Sequence, residues 1–350
     1  MAIHIVKYKF LFDIYNFSMD KNIELRQLRY FVAIVEAGSL SAASRTLHIA
    51  QPALSHHLRL LENSLGQSLL YRQPRGVQVT PAGDKLFRHA FGVLRQLQGL
   101  KAAVSTVEPL SGPVAVGVPR TIGGLLSLPF FEKVQKLHPG IVLEIVDGHS
   151  RDLGRALLEG RVDLVVMMPP APPDGVIEMP LLTEEVLLVS RADAPWLGNS
   201  KTLDIADLPT IPMLLPSRRE RLGALLKLLG VKDALDFNVR GHIDDLSALL
   251  AAVQAGHGAA VLPMSAISQA PAHYALRTRR LKGRPLLRHL ILCRARGVMP
   301  REATLVVAQD LLEVIDTLVQ SGQWPTAKIL RRDWSTFLDD ANRSQRGSGF

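Results

Sequence analysis

The 350-residue sequence holds a single cysteine, Cys293. One cysteine excludes an intrachain disulfide framework and suits a reducing compartment such as the cytoplasm. It sits in the apolar run Leu290-Ile291-Leu292-Cys293, which reads as buried strand rather than as the setting of a nucleophile. Long hydrophobic runs are missing too. No stretch reaches the ~18 uninterrupted apolar residues of a membrane span, and the longest apolar window, Leu246 to Met264, is broken by Gln254, His257 and several glycines. The usual catalytic signatures are lacking: no GxGxxG after a strand, no GxxxxGK followed by Ser or Thr, no GxSxG, and no metal-spaced Cys/His set. No enzyme activity, cofactor, metal or membrane partner is expected on these grounds.

What is present suits a protein of two or three domains with real cores: 47% of residues are hydrophobic and 21% charged. The first 18 residues, MAIHIVKYKFLFDIYNFS, resemble an export signal only loosely, because Lys7, Lys9 and Asp13 break any apolar region. Met19 precedes the first clear helical pattern, so residues 1–18 are expected to be an extension and Met19 the native start. The net charge of +9 is unevenly spread. Between Met19 and Leu110 there are 11 Lys/Arg against 6 Asp/Glu, which suggests a basic module that meets a polyanion, although a solvated face would look the same.

In that module, Leu25, Leu28, Phe31, Val32 and Val35 share one helical face up to Gly38. Ser41 is placed to cap a short helix that turns Ala42, Ala43 and Leu47 inward. Leu54, Leu58, Leu61 and Leu65 predict a further helix from about Gln51. Pro52 falls in its first turn, where the missing N–H costs nothing. Helix, the turn Leu47–Ala50 and helix form a helix-turn-helix, whose second helix enters the DNA major groove; an ordinary helical hairpin has the same pattern. The outward residues Gln51, Ser55, His56 and Arg59 can reach bases or phosphates, and Ser41 is expected among the DNA-binding residues with them.

Two short β-like runs around Pro74-Arg75-Gly76 then predict a wing that presents Arg72 and Arg75 to phosphates or a minor groove. Thr80 and Pro81 are N-cap and first residue of another helix. Along it Leu86, Ala90, Val93, Leu97, Leu100 and Val104 form a heptad seam about 40 Å long. Such a seam calls for a second copy of itself, unless it packs on its own domain.

These stretches, LRQLRYFVAIVEAGSLSAASRTLHIAQPALSHHLRLLENSLGQSLLYR and RGVQVTPAG, resemble the LysR-type transcriptional regulators, in the family's order and spacing. The nitrogen assimilation control subgroup looks most similar. The resemblance extends with weaker motifs to about residue 320. It implies base and backbone contacts at Gln51, Pro52, Ser55 and His56, with the wing arginine at Arg75, and a bacterial homotetramer that bends promoter DNA and engages RNA polymerase. Two positions depart from the pattern: Ala50, where Ser or Thr is usual, and His56-His57, where Arg or Gln commonly follows the serine. A metal site on that pair is a poor reading, since adjacent helical residues face about 100° apart.

Beyond the hinge at Pro109–Pro113, strands such as PVAVGV, IVLEIVD, VDLVVMM and EEVLLVS alternate with helices such as Ile122–Leu137, Ser150–Glu159 and Ser217–Leu229, the rhythm of a mainly parallel α/β sheet. The expected whole is α/β: a mainly α winged helix-turn-helix over 19–80, a linker and dimerisation helix over 81–108, and an effector-binding domain over 112–320. Lobe I takes 112–183 and 285–320, and lobe II 184–284. The resemblance gives this two-lobed domain the architecture of periplasmic binding proteins, on HPGIVLEIVDG, LLEGRVDLVV and AGHGAAVLP. Arg120, Thr121, Ser150, Ser217, Arg218 and Asp244 stand where strands give way to helices. Hydroxyls and free N–H groups there suit a small anionic effector, although the same residues could be N-caps alone. A solute-binding protein would share this fold but would need an export signal and no helix-turn-helix. Residues 321–350 carry Trp324, Trp334 and Phe337 and are assigned no role.

Overall fold

The computed structural model describes residues 23–73, 76–104, 110–168, 174–196, 200–215, 238–282, 285–298, 300–330 and 332–338. The expected extension 1–18, the helix from Ser217 to Leu229, and the residues Arg75, Ser217 and Arg218 lie outside these. The chain divides near Lys101 into two compact units.

In the first unit, α1 (Leu25–Ala37) ends where Gly38 takes a left-handed conformation, φ 68°, which glycine adopts without steric cost. The next helix, α2 (Leu40–Leu47), starts two residues earlier than expected. Its cap is Ser39, whose side chain accepts from the Ala42 amide, and Ser41 already lies within the helix. Then α3 (Gln51–Leu65) opens with Pro52 in its first turn and closes at Gly66. Phe31, Ile34, Ala43, Leu54 and Leu61 are completely buried where these helices meet. The wing is the antiparallel pair β1 (Leu70–Gln73) and β2 (Gly76–Val79). Thr80 caps α4 (Pro81–Val104) as expected: its hydroxyl donates to the Ser68 carbonyl and accepts from the Gly83 amide.

The second unit begins with β3 (Gly112–Pro119), α5 (Arg120–Leu137), β4 (Ile141–Gly148), α6 (Ser150–Leu158) and β5 (Leu164–Met167). β3 lies between β4 and β5 and is parallel to both. The alternating rhythm and the parallel start agree with the sequence reading, but the sheet as a whole is mixed. The reason is β6 (Val176–Arg191), a 16-residue strand that begins well before the expected EEVLLVS segment. It pairs antiparallel with β10 (Ala260–Pro263), β11 (Leu276–Leu281), β12 (Leu287–Ala295) and β13 (Ala327–Ile329). Pro180 hides the first half of β6 from sequence reading. It is accommodated at a register shift, where Leu290 faces Leu182 and Ile291 faces Pro180, so that the missing N–H falls at a bulge.

The remaining strands are β7 (Thr202–Leu203), on the edge beside β11, and the parallel pair β8 (Pro212–Leu215) and β9 (Asn238–His242). The helices are α7 (Leu246–Gln254), the single turn α8 (Met264–Ile267), α9 (Glu302–Gln320) and α10 (Trp334–Leu338). Buried side chains fall into separate clusters on either side of the middle of β6. Leu181 and Leu182 belong with Val116, Phe130 and Leu311, whereas Val186 and Leu188 belong with Leu208 and Met213. The two halves of the domain thus share one strand and keep separate cores.

Candidate DNA interface and effector cleft

On α3 the inward residues Leu54, Leu58 and Leu61 are buried, while Gln51, Pro52, His56 and Arg59 are exposed and Ser55 is half-buried. This is the division a groove-reading helix needs: one face fixed by the core, the other turned outward, where it can meet base edges. Ser41 is exposed on α2, and its hydroxyl donates to the Gln51 side-chain oxygen at 3.0 Å. The expected cap therefore serves instead to orient Gln51. The two histidines part company. His56 faces out, whereas the His57 ring meets Tyr30 edge-on, with ring centres 5.2 Å apart. Ala50 precedes α3 with no side-chain cap, and His48 closes α2 at φ 54°, so the turn relies on backbone hydrogen bonds from His48 and Ile49 to Arg45 and Ser44.

The wing is tied to this scaffold through the Val77 amide, which donates to the Gly38 carbonyl at 2.9 Å. The Arg72 side chain, like Arg75, lies outside the described residues. The seam of α4 is divided. Ala90 is buried in the module's own core with Leu86 packed against it, because the first turns of α4 close over the other helices. For those two residues a purely intersubunit role is corrected. Val93 and Leu97 remain exposed, at 43% and 38%, and the side chains of Leu100 and Val104 lie outside the described residues.

In the α/β unit the ends of β3 and β5 and the start of α6 bring Thr121, Ser150 and Met168 to one region. The Ser150 hydroxyl accepts from the Met168 amide at 3.2 Å. α5 opens after Pro119 with no side-chain cap, and the first-turn N–H groups of a helix are those that can meet an anion. Arg120, expected to supply positive charge, forms an exposed ion pair with Asp147 at 2.9 Å. The cation that reaches Thr121 is Arg288, which the sequence reading missed. Its Nη1 donates to the Thr121 hydroxyl at 2.9 Å and lies 3.4 Å from the Met168 sulfur. Strand alternation along Leu287–Leu290 was the signal that could have found it, since Arg288 and Leu290 are buried and Leu287 and His289 exposed.

Arg288 is held by Glu184, a carboxylate with no solvent exposure, through a hydrogen bond of 2.7 Å from Nε and a close ion pair from Nη2. Burial draws the guanidinium pKa down from its usual range, and Glu184 opposes that shift. Asp244 is half-buried just before α7, but the cap of that helix is Asp245, whose carboxylate accepts from the Ala248 amide. Cys293 is completely buried on β12, and desolvation pushes its thiol pKa up.

A winged helix-turn-helix joined to a mixed α/β domain with a polar, arginine-bearing region at its strand ends defines a DNA-binding regulator with a sensing domain. Comparison with known proteins gives the class its family. The profile described as the bacterial regulatory helix-turn-helix protein of the lysR family matches residues 25–84, and that of the LysR substrate binding domain matches 108–316. The chain belongs to the LysR-type transcriptional regulators, which bind double-stranded DNA.

The nitrogen assimilation regulatory protein nac of Klebsiella aerogenes is 35% identical over 246 residues, 70% of this chain and 79% of that protein. The DNA-binding transcriptional dual regulator OxyR of Escherichia coli is 30% identical over 246 residues, 70% of this chain and 80% of its own. The similarity places the chain with the nac-like regulators. A full-length OxyR variant from Pseudomonas aeruginosa superposes with a TM-score of 0.65 at 23% identity, over 84% of this chain and 95% of that one. CbnR complexed with its target DNA superposes with a TM-score of 0.59 at 22% identity, over 84% and 99%. Both share the fold. Among the described residues no helix is long and apolar enough to cross a membrane.

Proposed function

We propose that the chain reads promoter DNA with Gln51, Ser55, His56 and Arg59 of α3, with the wing arginines Arg72 and Arg75 on the backbone. It acts in the cytoplasm as a dimer or tetramer, without catalysis, and engages RNA polymerase at the promoter. The observation that carries the reading is that Leu54, Leu58 and Leu61 of α3 are buried while Gln51, His56 and Arg59 are exposed. The test compares operator and random DNA. Ser55→Ala should lower operator affinity about 10-fold and leave random DNA nearly unchanged, since a base contact contributes about 1–3 kcal/mol of discrimination. Arg75→Ala should weaken both and reduce the salt slope by about one. Equal loss on both DNAs for Ser55→Ala would overturn the base-reading role.

The effector we propose is a small anion held by Thr121, Ser150 and the first turn of α5, with Arg288 supplying the charge and with Ser217, Arg218 and Asp244 as the further effector-binding residues. The lobes run over about 112–183 with 285–320, and 184–284. The separate cores on either side of Glu184 support that division. Relatives named as hydrogen peroxide-inducible genes activators raise thiol oxidation as a second reading. Here the one cysteine is buried and held as the thiol, so the reactive thiolate is lacking. Titration calorimetry with di- and tricarboxylates should show a binder that Thr121→Val abolishes. Binding that survives Thr121→Val would place the effector elsewhere.

A further inference from the structure

Residues past 316 lie beyond the matched family region, and their sequence suggests no role. The structure finds them at the middle of β6, where the two halves of the α/β domain meet. β13 adds itself to β6, with Ala327 facing Glu184, Lys328 facing Thr183 and Ile329 facing Leu182. The Leu330 amide donates to the Leu181 carbonyl at 2.9 Å, beside the Pro180 bulge. Further on, Phe337 is fully buried and its carbonyl accepts from Arg294 Nε at 2.6 Å.

Trp324 is 1% exposed, and its indole N–H donates to Glu184 Oε2 at 2.9 Å. Glu184 is therefore shared between three parts of the chain. Trp324 approaches from the C-terminal segment and Arg288 from β12. Ser265 of α8 approaches from the other half, donating from its hydroxyl to Oε1 at 3.1 Å and from its amide to Oε2 at 3.4 Å. The bridge closes through Gln269, whose side-chain amide donates to the carbonyls of Ser265 and Thr121, both at 2.9 Å. Gly124 makes room for it, since a Cβ there would stand 2.3 Å from Gln269 Oε1.

A carboxylate buried this completely is tolerated only when its acceptor sites are filled. The donors that fill them come from both halves of the domain and from the C-terminal segment. We propose that the segment from Trp324 to Phe337 clamps the strand shared by the two halves. In this arrangement Trp324 is a positioning residue that, through Glu184, keeps Arg288 aimed at Thr121 and α8 seated on α5. The inference concerns the internal geometry of the domain and stands whether or not the effector is an anion.

The test uses the full chain with 15N-labelled indoles. Three tryptophans give three indole N–H signals, and Trp324→Phe, which keeps most of the bulk and removes the donor, assigns one of them. Ser265→Ala, a change in the other half, should shift the Trp324 signal because both donors share one carboxylate. In Trp324→Phe, amide exchange at Thr121–Leu125 and Ser265–Gln269 should accelerate at least 10-fold, while β3 and β5 stay within 2-fold. The two substitutions should also combine non-additively in thermal unfolding, as groups sharing one partner do. A Trp324 signal indifferent to Ser265→Ala would overturn the clamp. So would acceleration spread evenly through β3 and β5, which is the mark of lost packing alone. If Trp324→Phe does not fold, Trp196→Phe and Trp334→Phe assign the Trp324 signal by elimination, and Ser265→Ala still tests the link through it and through the exchange of α5.

Discussion

At the scale of single residues, Ala50 is the position where a small change should help. It precedes α3 without a side-chain acceptor, and Ser or Thr at an N-cap contributes about 1 kcal/mol. Ala50→Ser should slow hydrogen exchange of the first-turn amides of α3 about fivefold; unchanged protection would mean that the turn cannot present the hydroxyl. Asp310 on α9 carries a different burden. It is buried, with His138 Nε2 at 3.2 Å and Lys133 at 3.9 Å. Desolvation nevertheless raises its pKa, with Glu313 adding to the rise and His138 and Lys133 opposing it. A carboxyl whose folded pKa is raised binds its proton more tightly in the folded chain. Its contribution is full below the ordinary carboxylate range and is lost as pH rises through the raised value. Asp310→Asn should accordingly raise the melting temperature at pH 8, with the gain shrinking towards pH 4. A variant less stable than the parent at pH 8 would show that the ion pairs outweigh the burial.

Between elements, close approach of backbones fixes the geometry. Gly83 in the first turn of α4 lies so near β1 that a Cβ would stand 2.1 Å from the Leu69 carbonyl oxygen. Gly83→Ala should cost about 1–3 kcal/mol, the usual penalty of overpacking, visible as a lower urea midpoint for the helical module. Gly76 stands at φ 138°, and a Cβ there would meet the Gly38 carbonyl oxygen at 2.4 Å. Gly76→Ala should detach the wing from α1 and weaken operator and random DNA alike, because a wing contributes phosphate contacts. Parallel measurements on both DNAs decide it; loss confined to the operator would assign base reading to the wing.

For the molecule as a whole, the exposed pair Val93 and Leu97 on α4 is the part of the seam left for a second copy. Charging both, Val93→Glu with Leu97→Glu, should yield monomers in sedimentation and abolish protection of paired half-sites in footprints, since a symmetric dimer is what matches an interrupted palindrome. Dimers that persist would move the interface elsewhere on the chain.

The N-terminal module was legible in the sequence because its information is local. Helical spacing, Pro52 in a first turn, Thr80-Pro81 and the glycines after α1 and α3 each act within a few residues. The parallel strands β3, β4 and β5 were legible for the same reason, as short apolar-rich runs between helices. What needed the tertiary structure was everything resting on partners far apart in the chain. Ser39 displaced Ser41 as cap because the helix began two residues sooner, a choice set by packing. Half of β6 stayed hidden because Pro180 suits a strand only where a bulge takes it. Leu86 and Ala90 fit a seam by spacing, yet the fold placed them in a core. Arg288, Glu184, Ser265 and Trp324 span 140 residues of sequence. No periodicity could join them, because the force that gathers them, the cost of burying a charge without partners, acts only once the chain has folded.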